Sequence, residues 1–149
     1  MVAIPDQLTW EIVRRNNCFL KKRNGQTKRS GSVQFSVEPG NCKSLNQLKY
    51  SAIANSKALD VVFSGENRAQ LIKKTASKSG SKVAVAKINV NKDFRRSEKV
   101  IVGQGIDNYY RQDLKGAVLA KYTAVYQANR RAKGITKPVP VKKGRKSSA

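Results

Sequence analysis

The chain has 149 residues, room for one ordinary domain with a terminal extension and a core that needs neither disulfides nor a structural metal. It carries 31 Lys and Arg against 9 Asp and Glu, a formal net charge of +22, with a hydrophobic share of 39% that lies above the disordered range. Such charge repels itself in a compact state, so the composition predicts a polyanionic partner, nucleic acid first, and no small-molecule substrate.

An anionic membrane is the rival polyanion. No apolar run approaches the roughly 18 residues of a transmembrane helix, and the N-terminus MVAIPDQ lacks the basic-then-apolar order of a secretory signal. An intracellular protein without membrane partners is expected, with Cys18 and Cys42 reduced and partly buried.

In chain order, Ile4-Pro5-Asp6 starts a helix with Asp6 as the capping oxygen. Leu8, Ile12, Val13 and Trp10 give that helix an apolar side, and it should run to about Arg15 before Asn16-Asn17 stops it. Cys18-Phe19-Leu20 reads as a short strand, and Lys21-Lys22-Arg23-Asn24-Gly25 carries it into a hairpin turn. Val33, Phe35 and Val37 then alternate with polar residues, the period of a strand with one buried face, and Glu38-Pro39-Gly40-Asn41 turns the chain. Between Glu11 and Glu38 stand Arg14, Arg15, Lys21, Lys22, Arg23, Lys28 and Arg29 with no acid among them, so the hairpin should be strongly positive.

Leu48, Tyr50 and Ala52 alternate again, and Leu59 to Phe63 reads as a buried strand. Arg68 to Thr75 fits either a short helix or an edge strand, and Val83, Val85, Ile88 and Val90 suggest another strand. Beyond Asn91 comes a basic connection with Arg95 and Arg96, then a short apolar piece, 100–102, that Gly103 and Gly105 break. The best helix runs from about Gln112 to Lys133: Leu114, Val118, Tyr122 or Val125, and Ala128 return at helical spacing among helix-favouring alanines. Its end carries Arg130, Arg131 and Lys133, and no acid follows Asp113. From Gly134 the chain is too poor in apolar residues to fold alone and should stay extended until bound, with Lys142, Lys143, Arg145 and Lys146 as its charge.

These elements predict an α+β fold: a small antiparallel sheet with an N-terminal helix laid on it, then C-terminal helices and a basic extended tail. The expected division is 1–90 for the α+β part, 91–133 for the connection and C-terminal helical region, and 134–149 for the tail.

Little supports chemistry. The chain has no histidine, two distant cysteines cannot make a four-ligand zinc site, and the nine acids are scattered singly. Gly103-Gln104-Gly105 is a lone glycine pair without the rest of a nucleotide-binding motif. No enzyme activity, metal or cofactor is expected. Phosphate neutralisation is: the arginines offer planar forks and the lysines point charges. Tyr109-Tyr110 beside Arg111 is the pair best placed to stack on unpaired bases, while Trp10, Phe19, Phe35 and Phe63 are expected in the core. The RNA-facing set is therefore Arg14, Arg15, Lys21, Lys22, Arg23, Lys28, Arg29, Arg95, Arg96, Tyr110, Arg111, Arg130, Arg131, Lys133, Lys142, Lys143, Arg145 and Lys146.

Several pieces resemble a known family. LTWEIVRRNNCFLKKR (8–23), FSVEPGN (35–41) and NQLKYSAIA (46–54), followed by INVNKDFRR and NYYRQDLKGAVLAKYTAV, are similar in order and spacing to the eukaryotic ribosomal proteins numbered 28 in the large-subunit series. The resemblance implies a structural component of the cytosolic large ribosomal subunit, reached through nuclear and nucleolar assembly, that contacts large-subunit rRNA and neighbouring ribosomal proteins. A free-standing nucleic-acid or chromatin-binding accessory protein is the alternative.

Overall fold

Leu114, Val118, Tyr122, Val125 and Asn129 recur every three or four residues and are all buried, so one stripe of a helix is committed to the interior. The computed structural model, which describes residues 4–24, 29, 32–65, 68–75 and 84–137, lays that stripe against an antiparallel sheet. The helix is α3, Lys115–Ala132, entered through a 3-10 turn at Gln112–Leu114. The sheet beneath it is a meander of β3 (Leu59–Ser64), β4 (Arg68–Thr75) and β5 (Ala84–Val90), in that order. Its register sets Val61 opposite Leu71, Leu71 opposite Ile88, and Ala69 opposite Val90. Period-two alternation thus puts Leu59, Val61, Ala69, Leu71 and Val90 into the core that α3 closes. Burial of each large side chain there contributes about 1.5–3 kcal/mol.

A second helix, α2 (Phe94–Gly105), occupies the stretch where the sequence suggested a basic connection and a broken apolar piece. Its inner stripe is Ser97, Ile101 and Gly105, four residues apart and all buried. Gly105, which reads as a helix breaker, is needed for fit: a Cβ there would lie 2.5 Å from Cδ2 of Leu59. Ser97 satisfies its buried hydroxyl on the Lys92 carbonyl at 2.9 Å.

The N-terminal part departs further from expectation. The helix α1 (Asp6–Val13) stops two residues early and buries none of its side chains, with Leu8 54% and Ile12 70% exposed. Asp6 caps nothing; its carboxylate accepts from the Ser56 backbone N–H at 3.1 Å and hydroxyl at 3.2 Å. The sheet that α1 was expected to cover is covered by α3 instead, because α3 offers the longer apolar stripe.

The hairpin of β1 (Leu20–Asn24) and β2 (Ser32–Ser36) forms its own two-stranded sheet, with Lys21 opposite Phe35 and Lys22 opposite Gln34. Here the alternation is inverted: Val33, Phe35 and Val37 are exposed, while Ser36 and Glu38 are buried. A polar cluster takes the place of an apolar core. The Glu38 carboxylate accepts from Asn41 Nδ2 at 2.9 Å, Ser51 Oγ at 3.2 Å and the Ile53 N–H at 3.3 Å, so three neutral donors satisfy the buried carboxylate. Residues 48–52 are turns rather than a strand, and Arg68–Thr75 is the central strand β4. Phe63 is exposed and Trp10 half-buried, so neither belongs to the core. Of the extended tail expected over 134–149, residues 138–149 lie outside the described residues.

Candidate nucleic-acid interface

Most of the expected RNA-facing cations that are described fall into three groups by element. At the α1 end and hairpin, Arg15, Lys21 and Lys22 are exposed, and Lys22 Nζ reaches the Arg15 carbonyl at 3.4 Å, which holds the two elements' charges together. Arg14 is half-buried and pairs with Glu11 at 3.0 Å, with its Nε buried and without a hydrogen-bond partner. Arg29 is exposed. Arg23 lies in β1 opposite Val33, and Lys28 falls outside the described residues.

The second group is the start of α2. Arg95 and Arg96 are exposed there, and Arg96 makes a long ion pair with Asp93 at 3.5 Å. A pair of that exposure contributes little and leaves the guanidinium available to phosphate.

The third group is the C-terminal end of α3, where Arg131 and Lys133 are exposed and Arg130 is half-buried. Arg130 and Lys133 border a cleft of about 710 Å³ between α3 and the sheet, with Arg68 and Lys92 on its other wall and Tyr122, Tyr126 and Asn129 inside. Of these, Arg68, Lys92, Tyr126 and Asn129 do not stand out in the sequence as RNA-facing. The helix side of the cleft was visible as the spacing 122, 126, 129, 130, 133; the strand side was not, because the approach of 68 and 92 is a product of the β4–β5 pairing. Lys142, Lys143, Arg145 and Lys146 lie outside the described residues.

Tyr110 and Arg111 are set apart from these groups by what they touch. The Tyr110 hydroxyl accepts from the Ala58 N–H at 3.1 Å and donates to the Lys74 carbonyl. Burial pushes its pKa up. Lys73 Nζ lies 4.4 Å from the ring centroid, so one face already carries a cation. Arg111 grips Asp113 through Nε and Nη2, both at 2.8 Å, and reaches the carbonyls of Lys57 and Lys49 at 2.6 Å. That fork raises the arginine's pKa and holds the Asp113 carboxyl below its ordinary value. Four of the five guanidinium N–H donors are thus engaged within the fold, and a single Nη1 N–H is left over for an outside acceptor such as phosphate. Tyr109 keeps an open ring, 80% exposed, at φ 51°.

Two further cations serve the fold. Lys74, whose pKa burial lowers, donates to the carbonyls of Ala52 at 2.8 Å and Asn55 at 2.7 Å. Lys121 pairs with Asp60. Cys42 is buried, which pushes its thiol up, and Cys18 is exposed. Among the described residues no helix is long and apolar enough to cross a membrane.

The comparisons with known proteins cover nearly the same ground. A model of the ribosomal L28e protein family matches residues 8–128. The large ribosomal subunit protein eL28 of Schizosaccharomyces pombe is 30% identical over 137 residues, 90% of this chain and 99% of that one. Its namesake in Dictyostelium discoideum is 31% identical over 129 residues, 85% of this chain and 89% of the relative. A shorter match, 43% identical over 56 residues, 38% of this chain and 40% of the relative, links it to eL28 of Caenorhabditis elegans.

Proposed function

The chain belongs to the ribosomal L28e protein family, and from that premise we propose that it is a structural constituent of the eukaryotic large ribosomal subunit, where it binds rRNA by phosphate neutralisation and touches neighbouring ribosomal proteins. It works in the cytoplasm after nucleolar assembly and catalyses nothing. The observation that carries this reading is the family match over residues 8–128 in a chain of net charge +22.

In this reading the β3–β5 sheet and α3 order the chain. Arg15, Lys21, Lys22, Arg95, Arg96, Arg131 and Lys133 meet phosphate, and the tail's Lys142, Lys143, Arg145 and Lys146 add further contacts. Cations on separate elements suit an RNA surface, where backbone contacts position a protein without reading sequence.

The test is sedimentation of the tagged full-length protein from cell extract. Co-migration with large subunits that survives a moderate-salt wash supports the proposal. Appearance only in salt-released soluble or chromatin fractions sinks it and favours a free-standing nucleic-acid-binding protein. Within the particle, replacing the four tail cations with Ala should lower the salt dependence of RNA binding, by roughly 0.7–0.9 in log–log slope for each phosphate no longer neutralised. An unchanged slope rejects the tail's role.

A further inference from the structure

We propose that the cleft between α3 and the β4–β5 pair is a pocket for one unpaired nucleotide, with its base against Tyr126 and Asn129 and its phosphate on Lys92, Arg130 and Lys133. This deepens, and rests on, the RNA-binding reading above. The cleft's volume, about 710 Å³, is within the usual size range for small-ligand pockets and admits a nucleotide.

The floor is aromatic and held in place. Phe94 from α2 stacks on Tyr122 at 5.6 Å between centroids and packs against Tyr126 at 4.9 Å. Tyr126 is half-buried and lines the cleft, so its ring is fixed before any ligand arrives. A pre-set ring is what base stacking needs, and every base has a face to offer it.

Asn129 supplies the polar contact. It lines the cleft, is only 7% exposed, and its Oδ1 has no hydrogen-bond partner. Buried carboxamide oxygens are normally bonded, so an orphan here is an acceptor awaiting a donor. The Asn χ2 torsion is broad and roughly two-fold, and a flip about it exchanges Oδ1 with Nδ2, so the carboxamide has both an acceptor and a donor to offer the cleft. All four RNA bases carry an N–H on an edge that pairing would otherwise use.

The rim supplies charge. Lys92, Arg130 and Lys133 have no carboxylate partner among the described residues. An acidic peptide would satisfy that rim and has backbone N–H groups for Oδ1, but its carboxylate side chains bring no flat ring for Tyr126. A nucleotide turned out of its stack brings a flat ring, an N–H donor and a phosphate together, and a paired duplex brings only the last.

The test uses the full-length protein and three RNA hairpins of equal length: fully paired, with one bulged nucleotide, and with an abasic bulge, titrated by fluorescence anisotropy at fixed salt. The wild type should prefer the bulged RNA over the other two by about tenfold. Asn129→Leu and Tyr126→Leu should each cut that preference below about twofold while binding the paired hairpin as before, and Tyr126→Phe should keep it. If either Leu variant fails to fold, the wild-type comparison of bulged with abasic RNA still decides. Equal wild-type affinity for all three overturns the pocket and leaves RNA binding standing; no binding to any overturns RNA binding itself. A photo-crosslinker at position 126 in assembled particles gives an RNA adduct if the proposal holds. A protein adduct instead overturns it and assigns the cleft to a neighbouring chain.

Discussion

The ammonium of Lys121, in the middle of α3, sits 2.5 Å from the Asp60 carboxylate in β3, where the aspartate side chain is 4% exposed. Asp60 Oδ1 also accepts its own neighbour's N–H, from Val61, at 2.8 Å. One buried anion on the sheet thus fixes the axial position of the helix that covers it. Lys121→Met should leave that anion unpaired and cost about 3 kcal/mol in urea unfolding. The double variant Asp60→Asn, Lys121→Met should lose less than the single one, because no charge is then stranded; an equal or greater loss would refute the pairing argument.

Glycines on one helix should respond with opposite sign. Gly105→Ala forces a Cβ to 2.5 Å from fully buried Leu59 and should destabilise by about 1–3 kcal/mol. Gly103, two residues earlier, has nothing within 4 Å of its added Cβ. Gly103→Ala should therefore stabilise by about 0.5–1 kcal/mol through helix propensity. Thermal melts of the two variants against wild type check both signs.

The Arg111–Asp113 fork predicts an acid limb. Asp113's pKa is lowered, first by hydrogen bonding to Arg111. Its folded value therefore lies below its unfolded value, so the unfolded state binds the extra proton first as pH falls. The stability it contributes is present above the ordinary carboxylate range near pH 4 and is lost as pH falls through the depressed value. Asp113→Asn should remove that part of the pH dependence below about pH 4 and leave the curve above pH 5 parallel to wild type. A denaturation series from pH 7 to pH 2 measures it; an unaltered acid limb in the variant counts against the fork.

Tyr110→Phe separates clamp from stacking platform. The variant keeps the ring and loses the hydroxyl that joins Ala58 to Lys74. Stability should fall by about 1–3 kcal/mol, with RNA affinity unchanged in conditions where the variant is folded. A selective loss of RNA affinity at unchanged stability would instead assign the Tyr110 hydroxyl to the RNA interface.

What could be read along the chain was whatever local preference encodes. The repeat of Leu114, Val118, Tyr122 and Val125 announced α3, the basic run ending in Asn24-Gly25 announced a hairpin, and LDVVF announced β3. The surplus of cations without acids pointed to a polyanion before any contact was known. Helix α2 escaped because Gly103 and Gly105 look like breakers, and the reason one of them is glycine is Leu59, some 46 positions away in sequence.

The hairpin shows the other limit. Alternation of Val33, Phe35 and Val37 says that two faces differ, yet not which one meets protein, and here the polar face turns inward onto Glu38 and Asn41. The same holds for charge. A guanidinium or phenol has the same donors whether it meets phosphate or carbonyl, so Arg111 looks identical to Arg131 in sequence. Long-range packing brings Lys49, Lys57, Ala58 and Lys74 to the Tyr110–Arg111 pair and leaves Arg131 in the open. Residue type and spacing along the chain specify what a side chain can bond to; the meeting of segments remote in sequence specifies what it does bond to.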